Sequence, residues 1–64
     1  MQITVNGVTR SVQATSLAGV LEECGFSGRV ATAVNEDFVP VSARETTVLR
    51  EGDRLEVLGA MQGG

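Results

Sequence analysis

Apolar and polar residues alternate over positions 2–5, which puts Ile3 and Val5 on one face of an extended segment. Asn6-Gly7 follows. This pair suits the centre of a type I′ turn, where both residues take positive φ. The chain then returns as a second strand over residues 8–13. A strict two-residue turn sets Arg10 opposite Ile3, on the core side. Either the aliphatic stem of Arg10 covers the core edge while its charge reaches water, or a bulge shifts the register. The pattern leaves both open.

Ala14-Thr15-Ser16 interrupts the alternation. Thr15 or Ser16 suits a helix N-cap, because a hydroxyl there accepts from a free first-turn amide. Leu17, Val20, Leu21 and Cys24 then recur at i, i+3, i+4 and i+7, one apolar helix face. Gly25 suits the left-handed residue that closes a helix. A helix of about nine residues is marginal alone and must lie on a sheet. Gly19, inside it, costs about 1 kcal/mol relative to alanine. Its bare backbone either lets the helix approach the sheet or is simply tolerated; tolerance is the reading adopted.

Phe26-Ser27-Gly28-Arg29 reads as a loop, residues 30–35 as a third strand, and Glu36-Asp37 as a turn. Phe38-Val39 is a short fourth strand stopped by Pro40, which has no amide to donate to a ladder. Residues 41–46 lack a period and suit a loop or a single helical turn. Thr47-Val48-Leu49 is expected to be buried. Glu51-Gly52-Asp53 is a turn, and residues 54–58 form the last strand with Leu55 and Val57 inward. Only Phe26 and Phe38 are aromatic, so the core is expected to be aliphatic: Ile3, Val5, Val12, Leu17, Val20, Leu21, Val30, Val34, Val48, Leu49, Leu55 and Val57.

A first hairpin, a crossing helix, a second short hairpin and a returning strand describe an α+β domain of the β-grasp, or ubiquitin-like, class. One main helix packs on a mixed sheet whose first and last strands run parallel at its centre. Residues 1–58 form the domain. Residues 59–64 form a flexible C-terminal tail that leaves from the sheet margin.

Composition narrows the chemistry. The chain has 64 residues, one cysteine, no histidine, no lysine and a net charge of −3. Nucleic acid and anionic membrane both call for clustered basic residues, so neither is an expected partner. With the usual general bases nearly absent, no catalytic triad and no histidine-containing metal site can be built. The neighbouring carboxylates Glu22-Glu23 and Glu36-Asp37 read as solvated surface. Cys24 lies on the buried helix face and reads as a small hydrophobe, not a sulfur site. A lone cysteine, with no signal-peptide pattern and no long apolar run, suits the reducing cytoplasm.

What remains is the ending, Gly63-Gly64. Terminal glycines are often merely loose. A carboxylate on Gly64, however, becomes an electrophile once joined to AMP, and an ATP site that surrounds it requires a thin, extensible arm. Glycine supplies both access and backbone freedom. A Gly-Gly ending on a β-grasp pattern with almost no catalytic side chains therefore points to a carrier, a protein cosubstrate and not an enzyme. With no lysine, the chain cannot form side-chain-linked polymers of itself.

Several segments carry a resemblance over nearly the whole length. They are Met1-Gln2-Ile3-Thr4-Val5-Asn6-Gly7, Thr15-Ser16-Leu17, Ala33-Val34-Asn35 with Phe38-Val39-Pro40, the run from Val48-Leu49-Arg50-Glu51-Gly52-Asp53 to Arg54-Leu55-Glu56-Val57, and Met61-Gln62-Gly63-Gly64. In order and spacing these resemble the ThiS family, the thiamin-biosynthesis sulfur carriers of the ubiquitin-like superfamily. The chain departs from it at Asn35-Glu36-Asp37, where many members have Asn-Gly-Glu, and at Gly19, where alanine is commoner.

The resemblance implies that a ThiF-type adenylyltransferase uses Mg-ATP to adenylate Gly64, while the carrier itself binds no cofactor. Sulfur from a cysteine desulfurase or a rhodanese-like donor then yields a Gly64 thiocarboxylate, which supplies a ThiG-type thiazole synthase. Gly63 gives access, and Ala60, Met61 and Gln62 line the threaded arm. Phe38 or Val39 is a candidate for an apolar docking patch, although core packing is the preferred role for Phe38. Two alternatives remain. The client is molybdopterin, cysteine or siderophore synthesis, or the chain is a ubiquitin-like interaction module that never uses its terminus.

Overall fold

A computed structural model describes residues 1–59; the expectations for Ala60, Met61, Gln62, Gly63 and Gly64 lie outside the described residues. Strands β1 (Gln2–Val5) and β2 (Val8–Ser11) form the first hairpin. Asn6 and Gly7 join them at φ +51° and +84°, the expected type I′ signature. The register is the unbulged one, with Ile3 opposite Arg10. Arg10 is nonetheless exposed, because β2 is an edge strand and all four of its residues face water. The chain re-enters the core just past β2. Val12 is buried, and its amide and carbonyl each bond the Met1 backbone at 2.8 Å.

Helix α1 (Leu17–Glu23) is capped by Ser16, whose Oγ accepts from the Gly19 amide at 3.0 Å. At its other end Gly25 takes φ +84°, and the amides of Gly25 and Phe26 donate to the carbonyls of Glu22 and Leu21. This two-bond closure satisfies carbonyls that the helix leaves open. Leu17, Val20 and Leu21 are buried, and Cys24, the C-cap, is a half-buried free thiol.

Gly19 is not merely tolerated. A Cβ there would stand 2.9 Å from the Ala14 Cβ and 3.1 Å from the Ser16 hydroxyl. The close approach is to the chain entering the helix and to the cap, not to the sheet.

An acidic residue in a last helical turn is unfavourable against the helix dipole, yet Glu23 has a local role. Its carboxylate accepts from the Gln13 amide at 3.0 Å and the Ala14 amide at 2.9 Å. These two bonds, Ala14 first, hold its pKa below the ordinary value.

Strands β3 (Val30–Val34) and β4 (Asp37–Val39) form the second hairpin. Its turn is Asn35-Glu36, one residue earlier than expected, with φ +50° and +75°. Ala33 pairs with Phe38 and Thr32 with Val39. Val39 therefore points into the core, while Phe38 is 69% exposed, which corrects the expectation that Phe38 packs inside. A 3₁₀ turn, Val41–Ala43, fills the aperiodic stretch.

Residues 47–49 then run beside the chain that enters α1. The Leu17 amide donates to the Thr47 carbonyl and the Leu49 amide to the Thr15 carbonyl, each at 2.8 Å. Alternation along this extended pairing buries Leu49 and turns Val48 out, 60% exposed, so Val48 is not a core residue. Val30 and Val34 are half-buried, packed against the core rather than sealed in it.

Strand β5 (Arg54–Gly59) completes a five-stranded sheet of order β2-β1-β5-β3-β4. It runs parallel to β1 and antiparallel to β3, with Leu55 and Val57 buried against the helix side. Gly59 still pairs with Val30, one residue beyond the expected strand end.

Two asparagine side chains clasp β5. Asn6 Oδ1 accepts from the Val57 amide at 2.8 Å, and its Nδ2 donates to the Val57 carbonyl at 3.1 Å. Asn35 Oδ1 accepts from the Arg54 amide at 3.0 Å, and its Nδ2 donates to Asp53 Oδ1 at 3.0 Å.

Candidate functional site

The expected chemistry belongs to the residues after β5, so the end of that strand and the face beside it form the candidate site. Side chains alternate across a sheet. With Leu55 and Val57 inward, Arg54, Glu56 and Leu58 project from the open face, away from α1. Leu58 lies opposite Ala31, and Phe38 lies opposite Ala33. These four residues share the open face of β5, β3 and β4. Leu58 and Phe38 are 67% and 69% exposed. Two large apolar side chains held over two alanines make a shallow apolar surface beside the strand end, a feature of docking sites. Glu56, paired with Ala33 and exposed, borders it. Arg54 and Glu36 lie 3.5 Å apart, both exposed, and such a pair contributes little to stability.

Of the two docking candidates, then, Phe38 belongs to the open face and Val39 to the core. Leu58 was missed, although its parity with Arg54 and Glu56 already sets it outward. Cys24 lies at the helix end, in a different layer from this surface, and the structure does not bring the two together. Gly59 has no atom within 4 Å of where a Cβ would stand, so crowding does not require glycine there. The proposed modified residue Gly64 and the arm residues Gly63, Gln62, Met61 and Ala60 lie outside the described residues.

Comparison with known proteins agrees with this arrangement. The model of the ThiS family matches residues 3–64. The chain belongs to the ThiS family. It is similar to the crystal structure of the thiamine biosynthesis protein ThiS from Geobacter metallireducens, at 26% identity over the whole of both chains and a TM-score of 0.85. It is also similar to the solution NMR structure of a thiamine biosynthesis protein from Geobacter metallireducens, at 26% identity over all of this chain and 88% of the other, with a TM-score of 0.79. No curated protein sequence matches the chain significantly. Among the described residues, the five-stranded mixed sheet with its single α-helix is the β-grasp arrangement of this ThiS structure. Among the described residues no helix is long and apolar enough to cross a membrane.

Proposed function

We propose that this chain is a sulfur carrier of thiamin biosynthesis, a cytoplasmic protein cosubstrate whose reactive group is the C-terminal carboxylate of Gly64. The carrying observation is the family match, which runs to residue 64 and so includes Met61-Gln62-Gly63-Gly64. The fold supports the reading, because β5 is anchored between two strands and ends beside an exposed apolar surface. A ThiF-type adenylyltransferase grips that surface and joins Gly64 to AMP from Mg-ATP, releasing pyrophosphate. A sulfur nucleophile, loaded by a cysteine desulfurase or a rhodanese-like donor, displaces AMP. Where that nucleophile is the outer sulfur of a donor persulfide, a second thiol cleaves the resulting acyl disulfide and is left in a disulfide with the donor sulfur. The product is a thiocarboxylate in which one oxygen of Gly64 has become sulfur. A ThiG-type thiazole synthase then receives the sulfur. The carrier's contribution is presentation: a rigid body for recognition and a slender arm for the channel.

Intact-mass spectrometry tests this directly. Incubation with ATP, the cognate activating enzyme and a sulfur donor is expected to raise the mass by the difference between sulfur and oxygen, localised to Gly64. An unchanged mass with cognate partners refutes the proposal.

The exposed Phe38 and Leu58 also favour a second reading, an interaction module that binds through its sheet alone. Deleting Gly63-Gly64 separates the two. A module keeps its partner and its function, whereas a carrier stays folded and loses all sulfur transfer.

A further inference from the structure

Arg44 differs from the other arginines: Arg10, Arg29, Arg50 and Arg54 are exposed, whereas Arg44 is half-buried. It follows the 3₁₀ turn, and its carbonyl accepts from the Ala18 amide of α1 at 3.1 Å. Its side chain runs to the start of β3. Nη2 donates to the Val30 carbonyl at 2.6 Å, and Nε donates to Thr32 Oγ1 at 3.1 Å. Thr32 is itself 1% exposed, and its hydroxyl donates to the Val39 carbonyl at 2.8 Å. The ion pair among the described residues is Arg54 with Glu36, so no carboxylate there competes for this guanidinium.

The carbonyl that Arg44 holds occupies a special place. Val30 opens β3 and pairs with Gly59, the last described residue of β5. The loop before Val30 is a poor anchor, since Ser27, Gly28 and Arg29 are exposed and Gly28 sits at φ +77°. The end pair of a ladder opens most readily. A short bond from a charged donor is among the strongest means of fixing a strand's first residue in place.

We propose that Arg44 is a positioning residue for carrier activation. By clamping the Val30 carbonyl, which faces away from β5, it fixes the start of β3 against which the end of β5 lies, and so fixes the point and direction from which the arm departs. This rests on the sulfur-carrier reading. Five residues follow Gly59, enough to span at most about 17 Å when extended. An enzyme that grips the body must find the terminal carboxylate within that reach. Fraying at the root spreads the end over a larger volume and lowers its effective concentration in the channel. The loss falls on productive binding and not on chemistry at the bound carboxylate.

Arg44→Met removes both side-chain bonds while keeping an unbranched stem; Arg44→Lys keeps one donor. Backbone ¹⁵N order parameters at Leu58 and Gly59 report the root. Adenylation kinetics, measured by ATP–pyrophosphate exchange below both melting temperatures, report its consequence. In Arg44→Met the Gly59 order parameter is expected to fall from about 0.85 towards about 0.6. The KM for the carrier should rise about fivefold with kcat unchanged, and Arg44→Lys should lie between. A lowered melting temperature with KM unmoved would reduce Arg44 to a structural role and overturn the proposal. A raised KM with Gly59 as ordered as before would mean that Arg44 touches the enzyme itself, and would overturn it equally. Should Arg44→Met not fold, Arg44→Lys against wild type decides by the same two readouts. A wild-type chain that is never adenylated refutes the carrier reading and with it the kinetic role, while the order parameters still judge the clamp.

Discussion

Asn6-Gly7 and Asn35-Glu36 make the same turn with different second residues. The φ pairs are +51° and +84° in one, +50° and +75° in the other. Glycine adopts the second position freely. A residue with a Cβ pays about 1–2 kcal/mol there, and the exposed contact of Glu36 with Arg54 recovers little. The two turns share their asparagine and the direction it faces. Each amide reaches across to β5 and bonds backbone that the neighbouring strand does not. The left-handed conformation therefore aims a side chain as well as reversing the chain, and the second residue is subordinate to that aim. The clasps also differ. Asn6 takes both the amide and the carbonyl of Val57 in a part-buried setting, whereas Asn35 divides itself between the Arg54 amide and the Asp53 carboxylate at the surface.

That contrast orders the expected effects of substitution. Asn6→Ala should be the most damaging. It strips both bonds from Val57 and puts a less tolerant residue at positive φ, a loss of about 2–3 kcal/mol in urea denaturation. A loss below about 1 kcal/mol would mean that the β1 and β3 backbones hold β5 without the clasp. Asn35→Ala should cost less, about 1–2 kcal/mol, because water can replace its partners; a larger effect than that of Asn6→Ala would invert the ranking of the clasps. Glu36→Gly should act in the opposite direction and stabilise by about 0.5–1 kcal/mol, the strain relieved less the entropy glycine adds to the unfolded chain. No gain would show that Glu36 is better supported than its geometry suggests.

The smallest effect concerns the far end of the first hairpin, where Glu23 receives the amides of Gln13 and Ala14. Its folded pKa is depressed, so its contribution is present above the unfolded-state pKa and is lost as pH falls through the folded one. Between about pH 6 and about pH 3 the wild type should lose more stability than Glu23→Gln. Equal losses would leave the carboxylate no part in holding that end.

The same two turns show what the sequence made legible. Asn6-Gly7 was readable because both residues favour positive φ. Asn35-Glu36 was not, because glutamate disfavours it, and the turn was expected one residue later. That shift leaves unchanged which face Phe38 occupies. Either placement sends Val39 with Thr32 and Val34 and sends Phe38 the other way, since side chains alternate. Phe38 was misread from the usual habit of phenylalanine, and the period of its strand was the better guide. Val48 failed for a different reason: its pairing partner Ser16 is remote in sequence, and the segment alone has no face. Glu23 and Arg44 were invisible because, the Thr32 hydroxyl apart, their partners are backbone groups, which carry no residue signature. For the candidate site, the strand that precedes the Gly-Gly ending was evident from pattern and resemblance. The apolar surface beside them needed the register.

The position of β5 also bears on the order of events during synthesis. The two hairpins and the helix leave the ribosome first, but β1 and β3 meet only through a strand made last. Leu55 and Val57, two of the buried core residues, arrive with it. Pairing Val5 with Leu55 closes nearly the whole chain into one loop, a non-local step that slows folding. A nascent chain interrupted before this strand lacks a finished core and the exposed apolar surface to which Leu58 belongs. On the proposed reading, recognition of the body is thereby reserved for molecules translated through β5.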